Sequence, residues 1–399
     1  MADVAARTTF ERRSDLEPMR FTVNEFAGGA GDLGLLIPLA IALITINGLS
    51  ATAVFGVAGL AYMATALVFR VPVPVQPLKA FAAAAIALKL SAEVIAAGAL
   101  VMSAAMAVLA VTGLAGWLAA RFPLILTRGI QASVALLLGK AAWTLATKGN
   151  WKGLPAIEPI VGVALAAGSC LLLLLLLRAP RVPGVLVVLG IGIAGGLVVG
   201  SAPDTLTLGP APLDPALPQG HDLWVALTSL VIAQLPLTFG NSIVATVDAE
   251  HEYFGATAHR VTENRIAWSI AGSNLVSGLF HGLPICHGAG GVTAHYRLGA
   301  RTAGSTLMVG GALLTLAVTF GDSLPALLHV VLPGALAGML AYVAIEHGRL
   351  AMQVPDRGAL VIVIATGVAT LAFGNLAWGA LVGVVLLIAR RLWWRPAEQ

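Results

Sequence analysis

Residues 71–80 read VPVPVQPLKA and residues 282–291 read GLPICHGAGG. Each places a proline-interrupted, polar stretch inside an otherwise apolar chain, and the two fall at corresponding points of its halves. Pro72, Pro74 and Pro77 exclude regular helix, push the preceding residues into extended backbone and let a new helix begin at Pro77. A helix that begins inside a membrane presents unpaired N–H groups and about half a positive charge to whatever lies in front of it. Two such starts facing one another suit an anion, which is how transporters use broken helices.

Composition sets the environment. Of 399 residues, 58% are hydrophobic and 11% charged, where a soluble chain carries about a quarter charged residues. Apolar runs recur from residue 34 to residue 392 with short gaps, so the chain reads as one integral membrane domain. The 45 glycines and 21 prolines lie within and between these runs, as close helix packing requires. Residues 1–30 hold no apolar stretch that could serve as a signal peptide and read as a cytosolic segment leading into the first span. Cys170 and Cys286 lack any pairing spacing, so neither a disulfide nor a metal site is expected, and no cofactor. The net charge of +4 is dispersed rather than gathered in a patch, which argues for membrane topology and against nucleic acid.

Windows of about 20 residues, shorter at the polar stretches, place spans near 31–48, 51–69, 77–88, 93–113, 123–146, 160–177 and 184–201, then 222–248, 264–281, 288–298, 302–320, 325–345, 358–373 and 375–393. The predicted fold is therefore all-α, with about fourteen transmembrane spans. Its predicted divisions are a first seven-span repeat at 31–201, an external loop at 202–221, a second repeat at 222–393 and a short cytosolic tail at 394–399. Arg70, Arg121, Arg178, Arg181, Arg260, Arg265, Arg297, Arg301, Arg349, Arg357, Arg390, Arg391 and Arg395 all fall at cytosolic ends in this scheme, and residues 202–221 contain no Lys or Arg. Lys148 and Lys152 run against it. Asp32 and Asn241, Gln76 and Ile285, and Leu124 and Pro333 are each 209 residues apart. Seven spans per unit is odd, so the second unit enters from the opposite side, an inverted repeat that implies alternating access.

Gln76 sits at the mouth of the third span, and Lys79, three residues on, faces a similar direction at a depth where a charge costs about 2.5–3.5 kcal/mol. The alternative for Lys79 is snorkelling or a structural carboxylate partner. In the tenth span His287 offers a donor that titrates near neutral pH, and Gly288, Ala289 and Gly290 let backbone N–H groups close around a ligand. A glycine cluster can equally be a packing notch. His281 and His295 read as interfacial. Glu25 and Asp32, seven apart, share a face of the first span if it begins early, and are proton-carrying candidates. Gln234, Asn241 and Asp248 recur every seven residues along the eighth span, with Thr238 and Ser242 nearby, and this stripe is expected to face the cavity; hydrogen bonding between helices is the alternative for each. Residues 29–34 match GxGxxG, but no strand precedes them, so a dinucleotide site is excluded.

The string NEFAGGAGDLGLLIPLAIAL at 24–43, VPVQPLK at 73–79 and PICHGAGGVTAHYRLGARTAGS at 284–305 resemble the signatures of molybdate transporters related to the sulfate permeases. Leu78, His295 and Leu298 depart from the pattern, where methionine, glutamine and phenylalanine are usual. The resemblance implies the seven-plus-seven inverted repeat shared with sulfate permeases and nucleobase transporters, core and gate domains, and substrate held where broken spans 3 and 10 meet. It implies uptake of molybdate, a tetrahedral dianion, at Gln76, Lys79, Asn241, His287 and the 288–290 backbone, with Asp32, Glu25 or His287 carrying protons. Tungstate or sulfate are alternative cargoes, the other partners being the lipid bilayer and a second copy of the chain in a homodimer. The expected location is the bacterial inner membrane with both termini cytosolic, and no regulatory domain is expected. A nucleobase carrier would want carboxylates on the eighth and tenth spans, where Asn241 and His287 stand. A membrane-embedded enzyme would depend on His281, Cys286 and His287, whose spacing fits no ligand pattern, and an anion sensor would bind without transporting.

Overall fold

Proline and glycine positions dictate where this chain stops being helix. A computed structural model describes residues 18–114, 117, 121, 123–149, 158–176, 178, 182, 184–200, 203, 205–213, 215 and 217–393. The expectations for residues 1–17, Lys152, Arg181 and the 394–399 tail lie outside these described residues. The first half contains α1 (Val23–Gly29), a 3₁₀ turn (Ala30–Asp32), α2 (Leu33–Asn47), α3 (Ala51–Phe69), β1 (Gln76–Pro77), α4 (Lys79–Leu88), α5 (Ala92–Thr112), α6 (Leu124–Lys148), α7 (Pro159–Leu176) and α8 (Gly184–Val198). The second contains α9 (Gly220–Ala226), α10 (Ile232–Leu237), α11 (Ala245–Phe254), α12 (Glu263–Leu279), β2 (Ile285–Cys286), α13 (Ala289–Leu298), α14 (Gly304–Phe320), α15 (Leu324–His329), α16 (Pro333–Ala351), α17 (Arg357–Phe373) and α18 (Leu376–Trp393).

This is an integral, multi-pass membrane protein. Among the described residues six helical stretches are long and apolar enough to cross a bilayer: Val23–Asn47, Ala51–Phe69, Ala92–Thr112, Leu124–Lys148, Pro159–Leu176 and Gly220–Arg260. Their outward positions are apolar too, with Leu60, Val111, Ile160 and Leu171 exposed, as are Val361 of α17 and Ile388 of α18, as a lipid-facing surface requires. Inside, helices approach closely where side chains are absent: a Cβ on Gly59 of α3 would stand 2.7 Å from Gly310 O of α14, and one on Gly310 2.7 Å from Gly59 O. α3 packs on α14 as α5 packs on α12, and α6 packs on α16.

Three boundaries differ from the sequence expectation. The first span begins at Val23 rather than 31, because Thr22 caps the helix by accepting from Glu25 N. The eighth runs from Gly220 to Phe254 and passes through π-helical turns at Leu227–Val231 and Thr238–Val244 on either side of Pro236, which lacks the N–H that regular helix needs. The span expected at 325–345 is short α15, a break, and α16 starting at Pro333, 209 residues beyond the Leu124 that opens α6.

The two polar stretches are not wholly irregular. Their prolines hold the backbone extended, and an extended chain at membrane depth must find partners for its N–H and C=O groups. It finds them in the other stretch: β1 and β2 pair antiparallel, Gln76 with Cys286 and Pro77 with Ile285, and Leu78 N donates to Pro284 O at 2.9 Å. The all-α expectation thus needs this small correction, and the pairing is what brings the starts of α4 and α13 side by side.

Candidate functional site

Both broken helices open without a side-chain cap: α4 follows extended Leu78 and α13 follows extended Gly288. Neither helix start is therefore capped by the side chain of the residue before it. A Cβ on Gly288 would lie 2.4 Å from Gln76 Oε1, 3.1 Å from Lys79 Nζ and 3.2 Å from Asn241 Nδ2. An ammonium and two amides from three separate elements thus converge on one backbone atom that carries no side chain. Among the described residues Lys79 is in no ion pair, and Gln76 Oε1 is buried without a hydrogen-bond partner. A structural carboxylate partner for Lys79 is accordingly not what the structure provides.

Gln76 and Lys79 open onto a cavity of about 200 Å³ whose wall also includes Asp32, Gly290, Gly291 and, from α16, His347. His347 is buried, its Nδ1 has no hydrogen-bond partner among the described residues, and it interacts electrostatically with Lys79. Sequence reasoning missed this residue; the one signal was the adjacent Glu346–His347 pair in an apolar run. Gly290 faces open space, since a Cβ there meets nothing within 4 Å. Ala289 is the first residue of α13 and half-buried.

The other candidates hold the scaffold. His287 uses both ring nitrogens, Nδ1 at 2.7 Å from Pro74 O and Nε2 at 2.9 Å from Ser269 Oγ, so its ring ties the proline stretch before β1 and α12 to the start of α13 instead of facing the cavity. Gln234 Oε1 accepts from Phe81 N at 3.1 Å, relieving one free N–H in the first turn of α4, while its Nε2 donates to Thr238 Oγ1 at 3.0 Å. Glu25 Oε2 accepts from Arg301 N (2.9 Å) and Thr302 N (3.2 Å), which leaves it capping the approach to α14. Asp248 is exposed and Gln234 buried, because the π turn between them breaks the seven-residue stripe. His295, expected at an interface, is fully buried: Nδ1 lies 2.9 Å from Pro72 O and Nε2 3.1 Å from Asp32 Oδ1, which also accepts from Tyr62 OH at 2.5 Å.

Asn274 on α12 was also missed. Its Oδ1 accepts from Ile285 N at 3.1 Å and its Nδ2 donates to Ile285 O at 2.7 Å, so one side chain satisfies both backbone groups of a β2 residue. Asn274→Ala leaves both buried and unpaired, and we expect a loss of roughly 2–4 kcal/mol, read as a lower thermal unfolding midpoint in detergent; an unchanged midpoint would show that the clamp is dispensable.

Comparison with known proteins bears on the family and the fold. Residues 24–138 and 226–346 match a family described as "Molybdate transporter of MFS superfamily". Molybdate transporter 2 of Arabidopsis thaliana is 26% identical over 408 residues, covering 92% of this chain and 87% of that protein. Molybdate transporter 1 of the same plant is 26% identical over 421 residues, covering 94% and 89%. Among solved structures, the transmembrane domain of a cyanobacterium bicarbonate transporter, BicA, superposes with a TM-score of 0.66 at 17% identity, covering 94% of this chain and 98% of that one. That likeness shows the fold.

Proposed function

Because this chain belongs to the molybdate transporter family, a family of transporters rather than enzymes, we propose that it carries molybdate across a membrane by alternating access, with protons as the coupling ion. The observation that carries the reading is the convergence of Lys79 Nζ and the Gln76 and Asn241 amides on Gly288, at the mouths of two adjacent helices. Each helix start contributes about half a positive unit, and Lys79 brings the total to about the two units a dianion needs. Asn241 Nδ2 beside Gly288, Gln76 Nε2 beside Gly291 and backbone N–H groups supply directional donors to the oxygens of a tetrahedral oxyanion.

Alternating access follows from reading the halves as inverted repeats of seven spans. The 210-residue spacing of α4 and α13 and the 209-residue spacing of α6 and α16 support that reading. His347 on α16 and Lys79 on α4 face one cavity, so displacement of α16 against the broken helices would open or close it. Moving a dianion into an inside-negative compartment costs about 2.3 kcal/mol per charge per 100 mV, and accompanying protons offset that cost.

The test is molybdate uptake by purified protein in liposomes. Saturable uptake, inhibited by tungstate and unaffected by excess sulfate or uracil, is expected. Uptake abolished by sulfate or uracil would assign the fold a different cargo, and absence of uptake would remove the transport reading.

A further inference from the structure

Two buried carboxyl groups act on one buried imidazole next to the cavity: Asp32, Glu250 and His295. Asp32 lines the cavity itself, and its Oδ2 is buried with no hydrogen-bond partner among the described residues. Its Oδ1 accepts from Tyr62 and stands 3.1 Å from His295 Nε2. His295 Nδ1 faces the carbonyl of Pro72 at 2.9 Å, and a carbonyl only accepts, so this nitrogen carries hydrogen. Glu250 stands on α11, which packs against the α13 that carries His295, and acts electrostatically on the same ring. Glu250 is 0% exposed, and neither of its oxygens has a hydrogen-bond partner among the described residues.

The cation that faces Asp32 from across the cavity is Lys79, which interacts with it electrostatically. α11 packs against α13 and against the 3₁₀ turn Gly255–Arg260, while α13 also meets α1 and the Ala30–Asp32 turn. Of the ionisable groups on these elements, Glu25 is held by the Arg301 and Thr302 amides. Tyr296 is stacked on Tyr253 and beneath the Arg301 guanidinium. Asp248, His251, Glu252, His259, Arg265 and Arg297 are exposed, and Arg260 is half-buried. Asp32 and Glu250 are the two carboxyl groups that act on His295.

We propose that Glu250, His295 and Asp32 form the site that carries the coupled proton, with Glu250 as the group that gains and loses it. This deepens, and rests on, the proton-coupled reading above. With Glu250 protonated, one imidazolium balances one carboxylate, Asp32, and the array is neutral toward the cavity. When Glu250 releases its proton, two carboxylates share one imidazolium, and a net negative charge stands behind the wall that a dianion must approach. Proton and anion therefore favour each other's binding, which is the thermodynamic content of co-transport. The proton has a short exit: Glu250 lies four residues before α11 ends at Phe254, beside exposed His251 and Glu252.

The experiment uses full-length protein in liposomes loaded with a pH-sensitive dye and reads internal acidification on molybdate addition, alongside molybdate–molybdate exchange with no gradient. Wild type is expected to acidify the lumen and to raise accumulation about tenfold per unit of inward proton gradient for each coupled proton. Glu250→Gln keeps the shape and is expected to retain exchange while losing both acidification and gradient dependence. Acidification equal to wild type in that variant would overturn the proposal. If Glu250→Gln does not exchange, His295→Gln decides on the same two readouts: exchange without acidification supports the array, and normal acidification overturns it. Molybdate uptake by wild type without acidification would remove proton coupling altogether, a result distinct from a wild type that couples through other residues.

Discussion

Lys79→Ala is expected to lower molybdate uptake at limiting substrate by at least about 30-fold, the consequence of the ~2–5 kcal/mol that truncating one member of a desolvated charge pair costs. Folding should survive. Lys79 has no ion-pair partner among the described residues, so the substitution removes no native contact of that kind and also relieves the cost of holding a buried ammonium at membrane depth. The unfolding midpoint in detergent without substrate should therefore be unchanged or higher, while stabilisation by added molybdate disappears. Gln76→Ala removes a neutral donor, worth about 0.5–1.5 kcal/mol, so its loss of uptake should be several-fold smaller. Lys79→Arg does not rescue fully, because a planar guanidinium replaces a point charge in a cavity of about 200 Å³. Initial rates across a molybdate concentration series check all three. Undiminished uptake in Lys79→Ala would dissociate the ammonium from the cargo and leave the convergence at Gly288 without a role in transport.

What the sequence reveals here follows from how local each constraint is. Pro72, Pro74 and Pro77 act on their own and adjacent backbone, so the break before α4 and the placement of Gln76 and Lys79 at its mouth are readable from ten residues. The same holds for Pro284 and the glycines before α13. Partners hundreds of residues away are not readable in that way. His287 has the composition of a ligand-binding residue, and only the pairing of β1 with β2 shows its ring spanning Pro74 and Ser269. Asp32 is visible as an acid in an apolar span, but its meeting with His295 depends on the approach of α13 to the Ala30–Asp32 turn. There Gly28 permits contact so close that a Cβ would stand 2.1 Å from Ala300 N. The stripe from Gln234 through Asn241 to Asp248 assumes regular helical phase, and the π turn at Thr238–Val244 changes that phase along it.

Gly288→Ala should separate the site's geometry from its charge. The residue is extended, at φ −148° and ψ 131°, a conformation open to any side chain, so the substitution introduces no backbone strain. Its whole effect is the added methyl, which would stand 2.4 Å from Gln76 Oε1 and just over 3 Å from the Lys79 and Asn241 nitrogens. The amide end of Gln76 can swing aside, so the folding cost should be about 1–3 kcal/mol, typical of one excess methyl group in a packed site. The donors, however, are pushed off their common point, and uptake at limiting molybdate is expected to fall at least about tenfold, a loss of roughly 1.4 kcal/mol, with Lys79 still present. Gly290→Ala is the discriminating companion, because its Cβ meets nothing within 4 Å yet the residue lines the same cavity. An anion held in that cavity makes Gly290→Ala a variant of normal thermal stability and reduced uptake, whereas Gly288→Ala loses some of both. Normal uptake in the two together would mean that the space between the helix starts is a packing notch, and that the anion is held elsewhere along the wall formed by Asp32 and His347.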